Sequence, residues 1–163
     1  MREQWLKPAL IAAVGLQLVI MAGVFVNGFY PLWLGEEVRL QTQPVDPRDL
    51  FRGNYARLGY EFSTLDSSEF LPGAVVYLPL KQEGDLWTTG EPRHDAPEQG
   101  LFLRGRVTGA RWSERREAIF GIEALFAPKE KALALERQLR DEAVAVVRVA
   151  PNGRAALVTV NSE

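Results

Sequence analysis

The chain has 163 residues and a mass of 18.2 kDa, enough for one domain of ordinary size, roughly 100–200 residues. Lys plus Arg number 19 against 21 Asp plus Glu, giving a net charge of −2 and a pI near 5.6, without the basic excess of a nucleic-acid binder. The absence of Cys and the single His exclude disulfides, zinc ribbons, iron–sulfur clusters, thiol chemistry and His-rich metal centres.

The mean hydropathy of −0.11 averages an apolar N-terminal block with an ordinary polar remainder. Residues 9–34 carry no charge, and Gln17 and Asn27 are the only strongly polar side chains among them. A bilayer core about 30 Å thick takes about 20 apolar residues in a helix, which predicts a transmembrane helix over residues 9–30. Trp5 on one side, and Tyr30 and Trp33 on the other, suit the two interfaces, and Pro31 predicts the end of the helix. Arg2 and Lys7 precede the span, while Glu36 and Glu37 follow it. The positive-inside rule then puts residues 1–8 in the cytoplasm and the domain of residues 36–163 outside it. A cleaved signal peptide has an apolar core of about 7–15 residues and a small-residue exit; this block is longer and exits through Phe29 and Tyr30, as an uncleaved anchor does.

Beyond Gly35, strand-like runs alternate with turn clusters. Residues 38–42 alternate apolar and polar, as a half-buried strand does, before Pro44, Asp46 and Pro47 interrupt. Ala56, Leu58, Tyr60 and Phe62 line one face of a second run; residues 74–80 form a short buried strand that residues 86–89 can pair with. Residues 91–100 are rich in Pro and acidic side chains and predict an exposed loop. Residues 102–110 and 118–126 predict a hairpin with the charged residues 113–116 at its bend. A helix is expected over residues 128–140, with Pro128 at its first position, Glu130 near its start and Arg137 and Arg140 near its end, and Ala132, Leu135 and Leu139 as a buried stripe. Residues 143–149 and 154–160 form a closing hairpin around Pro151-Asn152-Gly153, where Asn and Gly both accept positive φ. The expected fold class is α+β: a mainly antiparallel sheet with one packed helix, tethered to a membrane helix.

The most distinctive stretch, residues 44–62, reads Pro-Val-Asp-Pro-Arg-Asp-Leu-Phe-Arg-Gly-Asn-Tyr-Ala-Arg-Leu-Gly-Tyr-Glu-Phe. It resembles the bacterial membrane-anchored GDYXXLXY proteins, whose signature falls here on Gly53, Asn54, Tyr55, Leu58 and Tyr60. The resemblance implies a single-pass inner-membrane protein of uncharacterised function, with multi-spanning membrane proteins as candidate partners, and no known reaction. Asn54 stands where the family has Asp. Both residues suit turns, but only Asp could act as base, nucleophile or cation ligand, so Asn54 favours a structural role for the position. Physically, Asp46 caps a turn, Pro47 starts it, and Gly53 supplies the entry into the strand. Leu58 and Tyr60 then face the core. Tyr55 and Arg57 face the opposite way and, with Asp46, Asp49 and Arg52, are the candidate surface and binding residues.

No catalytic constellation emerges. A signal-peptidase-like Ser–Lys pair needs a serine close after the anchor, yet the first is Ser63, in a polar turn. His94 beside Asp95 sits in an acidic loop, and Asp46 and Asp49 suit turn caps better than a glycosidase pair. No metal, cofactor or phosphate-loop pattern is present. The expected function is a non-catalytic binding or assembly domain whose partners are the lipid bilayer and other integral membrane proteins, not nucleic acid. The alternative is an envelope enzyme or sugar-binding module using Asp46, Asp49, Tyr55 and Arg57.

Overall fold

The computed structural model describes residues 3–43, 55–66, 69–109, 115–126 and 143–162. The apolar block forms one unbroken helix, α1 (Glu3–Leu34). Its segment Lys7–Leu34 is long and apolar enough to cross a membrane, and its residues up to Phe29 are exposed. Leu16, Val19, Phe25 and Trp33 stand exposed, as the side chains of a membrane-crossing helix would. Phe25, Phe29 and Trp33, spaced four apart, stack along one side with ring centroids 4.4 and 5.8 Å apart. Such a ridge suits the aromatic belt of a bilayer interface.

The helix passes through Gly35 directly into β1 (Glu36–Gln41). There follow β2 (Tyr55–Arg57), a 3-10 turn (Glu61–Ser63), β3 (Thr64–Asp66), β4 (Val75–Glu83), β5 (Leu86–Thr89), β6 (Phe102–Thr108), β7 (Arg115–Ile119), β8 (Ala124–Phe126), β9 (Ala143–Val149) and β10 (Ala155–Ser162). Eight strands make one sheet in the order β10-β9-β1-β5-β4-β6-β7-β3, and β2 and β8 pair as a separate ribbon. All neighbours are antiparallel except β1 and β5. The architecture is α+β.

The alternation of each strand decides its faces. In β1, Val38 and Leu40 are buried while Glu37, Arg39 and Gln41 are exposed. In β9, Ala143, Ala145, Val147 and Val149 line the same core. Leu78 of β4 and Leu103 and Val107 of β6 complete it with Phe120 and Ile122. Each such Val, Leu, Ile or Phe side chain contributes about 1.5–3 kcal/mol on burial. The sheet curls on itself: the Arg104 N–H of β6 donates to the Gly153 carbonyl at the tip of the β9–β10 hairpin, 2.7 Å away.

Four local expectations are corrected. Pro31 does not end α1, which runs three residues further to Leu34; proline removes one bond to the preceding turn and crowds it, but its own carbonyl still accepts, and the Gly35 N–H closes the last turn on it at 2.8 Å. The run from residue 56 to 62 is not one strand. β2 stops at Arg57, Gly59 forms an isolated bridge with Gln43, and Phe62 lies half-buried in the 3-10 turn. Residues 118–126 are likewise two strands, and Arg115 and Arg116 belong to β7 rather than to the bend. Gly121, with φ of 87°, makes the break, although Ala118, Phe120 and Ile122 are all buried as their alternation predicts. In the closing hairpin, only Gly153 takes positive φ, at 78°. Asn152 instead uses its side-chain oxygen to accept the Arg154 N–H at 3.1 Å, an Asx turn. The helix expected over residues 128–140 lies outside the described residues.

Candidate functional site

Asp46, Pro47, Asp49, Arg52, Gly53 and Asn54 all lie outside the described residues. Tyr55 and Arg57 are placed by their backbone in β2, opposite Phe126 and Ala124 of β8. The second half of the signature is described in full, and its contacts point inward. Leu58 and Tyr60 are 2% and 3% exposed. The Leu58 N–H donates to the Glu123 carbonyl at 2.8 Å, and the Tyr60 hydroxyl donates to the Ile122 carbonyl at 3.1 Å. Burial pushes the Tyr60 phenol well above its ordinary pKa, and the Glu123 carboxylate adds to the rise. That carboxylate in turn accepts the N–H groups of Phe120 at 2.5 Å and Gly121 at 2.9 Å. The Phe62 ring, 5.0 Å from Tyr60 and 5.6 Å from Phe120, ties the two segments together. The signature thus serves as a clamp that fixes the shape of residues 120–123.

His94, expected to be solvated, is exposed, but its ring lies 4.4 Å from the buried Phe70 ring. Among the described residues no group of three or more His, Cys, Asp or Glu side chains could hold a metal ion.

Two features that the sequence reading missed sit where α1 meets the sheet. The first is a polar lock. The Arg148 guanidinium donates to the Leu32 carbonyl at 2.7 Å. That carbonyl belongs to the last turn of α1, where carbonyls lack helical partners and a cation complements the helix dipole. The Arg154 guanidinium donates to the Asn27 side-chain oxygen. Asn27 precedes Leu34 by seven residues, about 10 Å along the axis at 1.5 Å per residue, so the hairpin tip climbs alongside the helix. Pro31 is buried in the same junction. Gly35 fits because a Cβ there would strike the Pro31 carbonyl and lie 3.0 Å from Arg148.

The second is an open hollow of about 360 Å³ whose lining includes Arg104, Arg106, Arg154, Ile119, Phe120 and Gly121. Arg104 and Arg106 alternate on the solvent face of β6, and the curl of the sheet delivers Arg154 beside them. The Phe120–Gly121 wall is the segment that the signature clamp and Glu123 hold. The strand alternation made Arg104 and Arg106 legible as exposed residues. Their convergence with Arg154 depends on a contact between β6 and the β9–β10 turn, which no local pattern encodes.

The profile of the GDYXXLXY protein family matches residues 17–160, a stretch that includes the second half of α1, Arg148 and Arg154. No curated protein and no solved structure matches the chain. With most of its length covered, including the helix–sheet junction, the chain belongs to the GDYXXLXY protein family.

Proposed function

We propose that this chain is a single-pass protein of the bacterial inner membrane, with its N-terminus in the cytoplasm and its sheet domain outside. It acts by binding or assembling with other integral membrane proteins rather than by catalysis. The observation that carries this reading is the polar lock between α1 and the β9–β10 hairpin, through Arg148 to Leu32 and Arg154 to Asn27. A domain on a flexible leash samples a large volume, whereas a domain locked to its anchor presents fixed surfaces at a fixed height above the bilayer. That geometry suits lateral association with neighbouring spans. The cations before the span support the orientation, and the inward-facing Leu58 and Tyr60 support a scaffold role for the signature.

The test is photocrosslinking in intact cells from probes placed at Glu37 and Arg57 of the full chain. Discrete adducts with integral membrane proteins are expected. The absence of any discrete adduct would contradict the assembly role, and adducts confined to cytoplasmic proteins would contradict the orientation.

A further inference from the structure

We infer that the hollow formed by Arg104, Arg106 and Arg154 is a binding site for the phosphate of an anionic phospholipid headgroup. The inference rests on the reading of α1 as a membrane anchor.

Three guanidinium groups share one open hollow in a chain whose net charge is −2. Among the described residues none of the three is paired with a carboxylate; an ion pair elsewhere joins Lys81 and Glu83. The side-chain partners of Arg106 and Arg154 are neutral oxygens. Arg106 donates to the Gly73 carbonyl at 3.0 Å and Arg154 to the Asn27 amide oxygen. A guanidinium has five N–H donors, so each of these contacts orients its side chain and leaves most of its donors available. Gathering like charges with no carboxylate paired to them among the described residues is unfavourable, and a bound anion reverses the sign of that interaction. Guanidinium groups match the oxygens of phosphate through paired hydrogen bonds. At about 360 Å³ the hollow lies at the small end of ligand sites, roughly 300–1,000 Å³, and suits a headgroup rather than a large solute.

The hollow's position selects the source of the phosphate. Arg154 lines the hollow and also touches α1 at Asn27, about 10 Å back from the end of the helix. One rim therefore sits at the level where an apolar helix of this length emerges from lipid. The exposed Ile119 beside the arginines offers an apolar neighbour for the glycerol end of a lipid. A soluble phosphoester would have no reason to be met at that height.

The experiment uses the full chain in detergent, with binding of phosphatidylglycerol, phosphatidylcholine and glycerol 1-phosphate followed by native mass spectrometry. Arg104→Gln is compared with Lys81→Gln. Each removes one positive charge, and the side chain of Lys81 is 80% exposed on β4. Phosphatidylglycerol should bind at least tenfold more tightly than phosphatidylcholine or glycerol 1-phosphate. Arg104→Gln should weaken it about tenfold, and Lys81→Gln less than twofold. Equal losses in both variants would reduce the effect to general electrostatics and overturn the site, as would no loss in either. Glycerol 1-phosphate binding as well as the lipid would overturn the lipid assignment. Carbonate-washed membranes are assayed in parallel. A chain released by the wash would refute the anchor, while a retained chain without selective lipid binding would refute the site alone.

Discussion

Replacing Tyr60 by Phe tests whether the signature tyrosine is scaffold, and does so through pH. The phenol is 3% exposed and donates to the Ile122 carbonyl. Tyr60→Phe deletes that bond and leaves the carbonyl short of a partner, a loss of about 1 kcal/mol near neutral pH. The ordinary phenol value is 10.0, and burial, with Glu123 adding, raises it in the folded protein. The sign follows from linkage. Below pH 10 both states keep the proton and the parent holds its full stability. Above it the unfolded chain releases the proton while the folded chain retains it, so the parent loses about 1.36 kcal/mol per pH unit. The variant lacks this loss. The two stabilities should therefore cross at about pH 11, where one unit of linkage offsets the missing hydrogen bond. Urea titrations of the full chain in detergent at a series of pH values, read by tryptophan fluorescence, measure both curves. A gap between parent and variant that stays constant to about pH 12 would refute the buried neutral phenol and with it the clamp.

Leu58→Ala should destabilise the domain by about 2–5 kcal/mol, as for other truncated core leucines, and lower the thermal midpoint by roughly 10 °C for a domain of this size; a melt within 2 °C of the parent would contradict its core placement. Gly35→Ala should cost about 1–3 kcal/mol by overpacking the junction and speed amide exchange at Glu36 and Glu37, whereas Gly23→Ala, where an added Cβ meets nothing within 4 Å, should leave exchange unchanged. Asn54→Asp should melt like the parent with and without calcium or magnesium, because both residues fit a turn. A cation-dependent rise in the Asp variant alone would point to ligand chemistry at that position.

What was legible in the sequence follows the range of the forces involved. The apolar N-terminal helix, the buried face of β1 and the β9–β10 hairpin all express local patterns of hydropathy and turn residues, although the helix runs past Pro31 to Leu34. Errors arose where one backbone feature broke a pattern that the side chains continued. Ala118, Phe120 and Ile122 alternate perfectly into the core, yet Gly121 divides their strand. Ala56 to Phe62 alternate too, but the chain leaves the ribbon after Arg57 because Gly59 pairs with Gln43 instead. Pro31 reads as a stop, yet its carbonyl still accepts the Gly35 N–H and α1 runs on to Leu34, whose last turn Arg148 meets at the Leu32 carbonyl. Arg104, Arg106, Arg148 and Arg154 look like ordinary solvent-facing cations along the chain. Only the curl of the sheet brings Arg104, Arg106 and Arg154 to one hollow, and only the return of the hairpin brings Arg148 and Arg154 to α1.

The central claim is that anchor and domain form one rigid piece. The chain has no native cysteine, so nitroxide labels can be placed uniquely on cysteines introduced at Gln17 of α1 and Val158 of β10, both exposed. The distance distribution between them, measured by double electron–electron resonance with the full chain in lipid nanodiscs, reads the junction directly. A single narrow population is predicted for the parent, broadening when Arg148 and Arg154 are both replaced by Ala. A parent distribution already as broad as that of the double variant would contradict the claim.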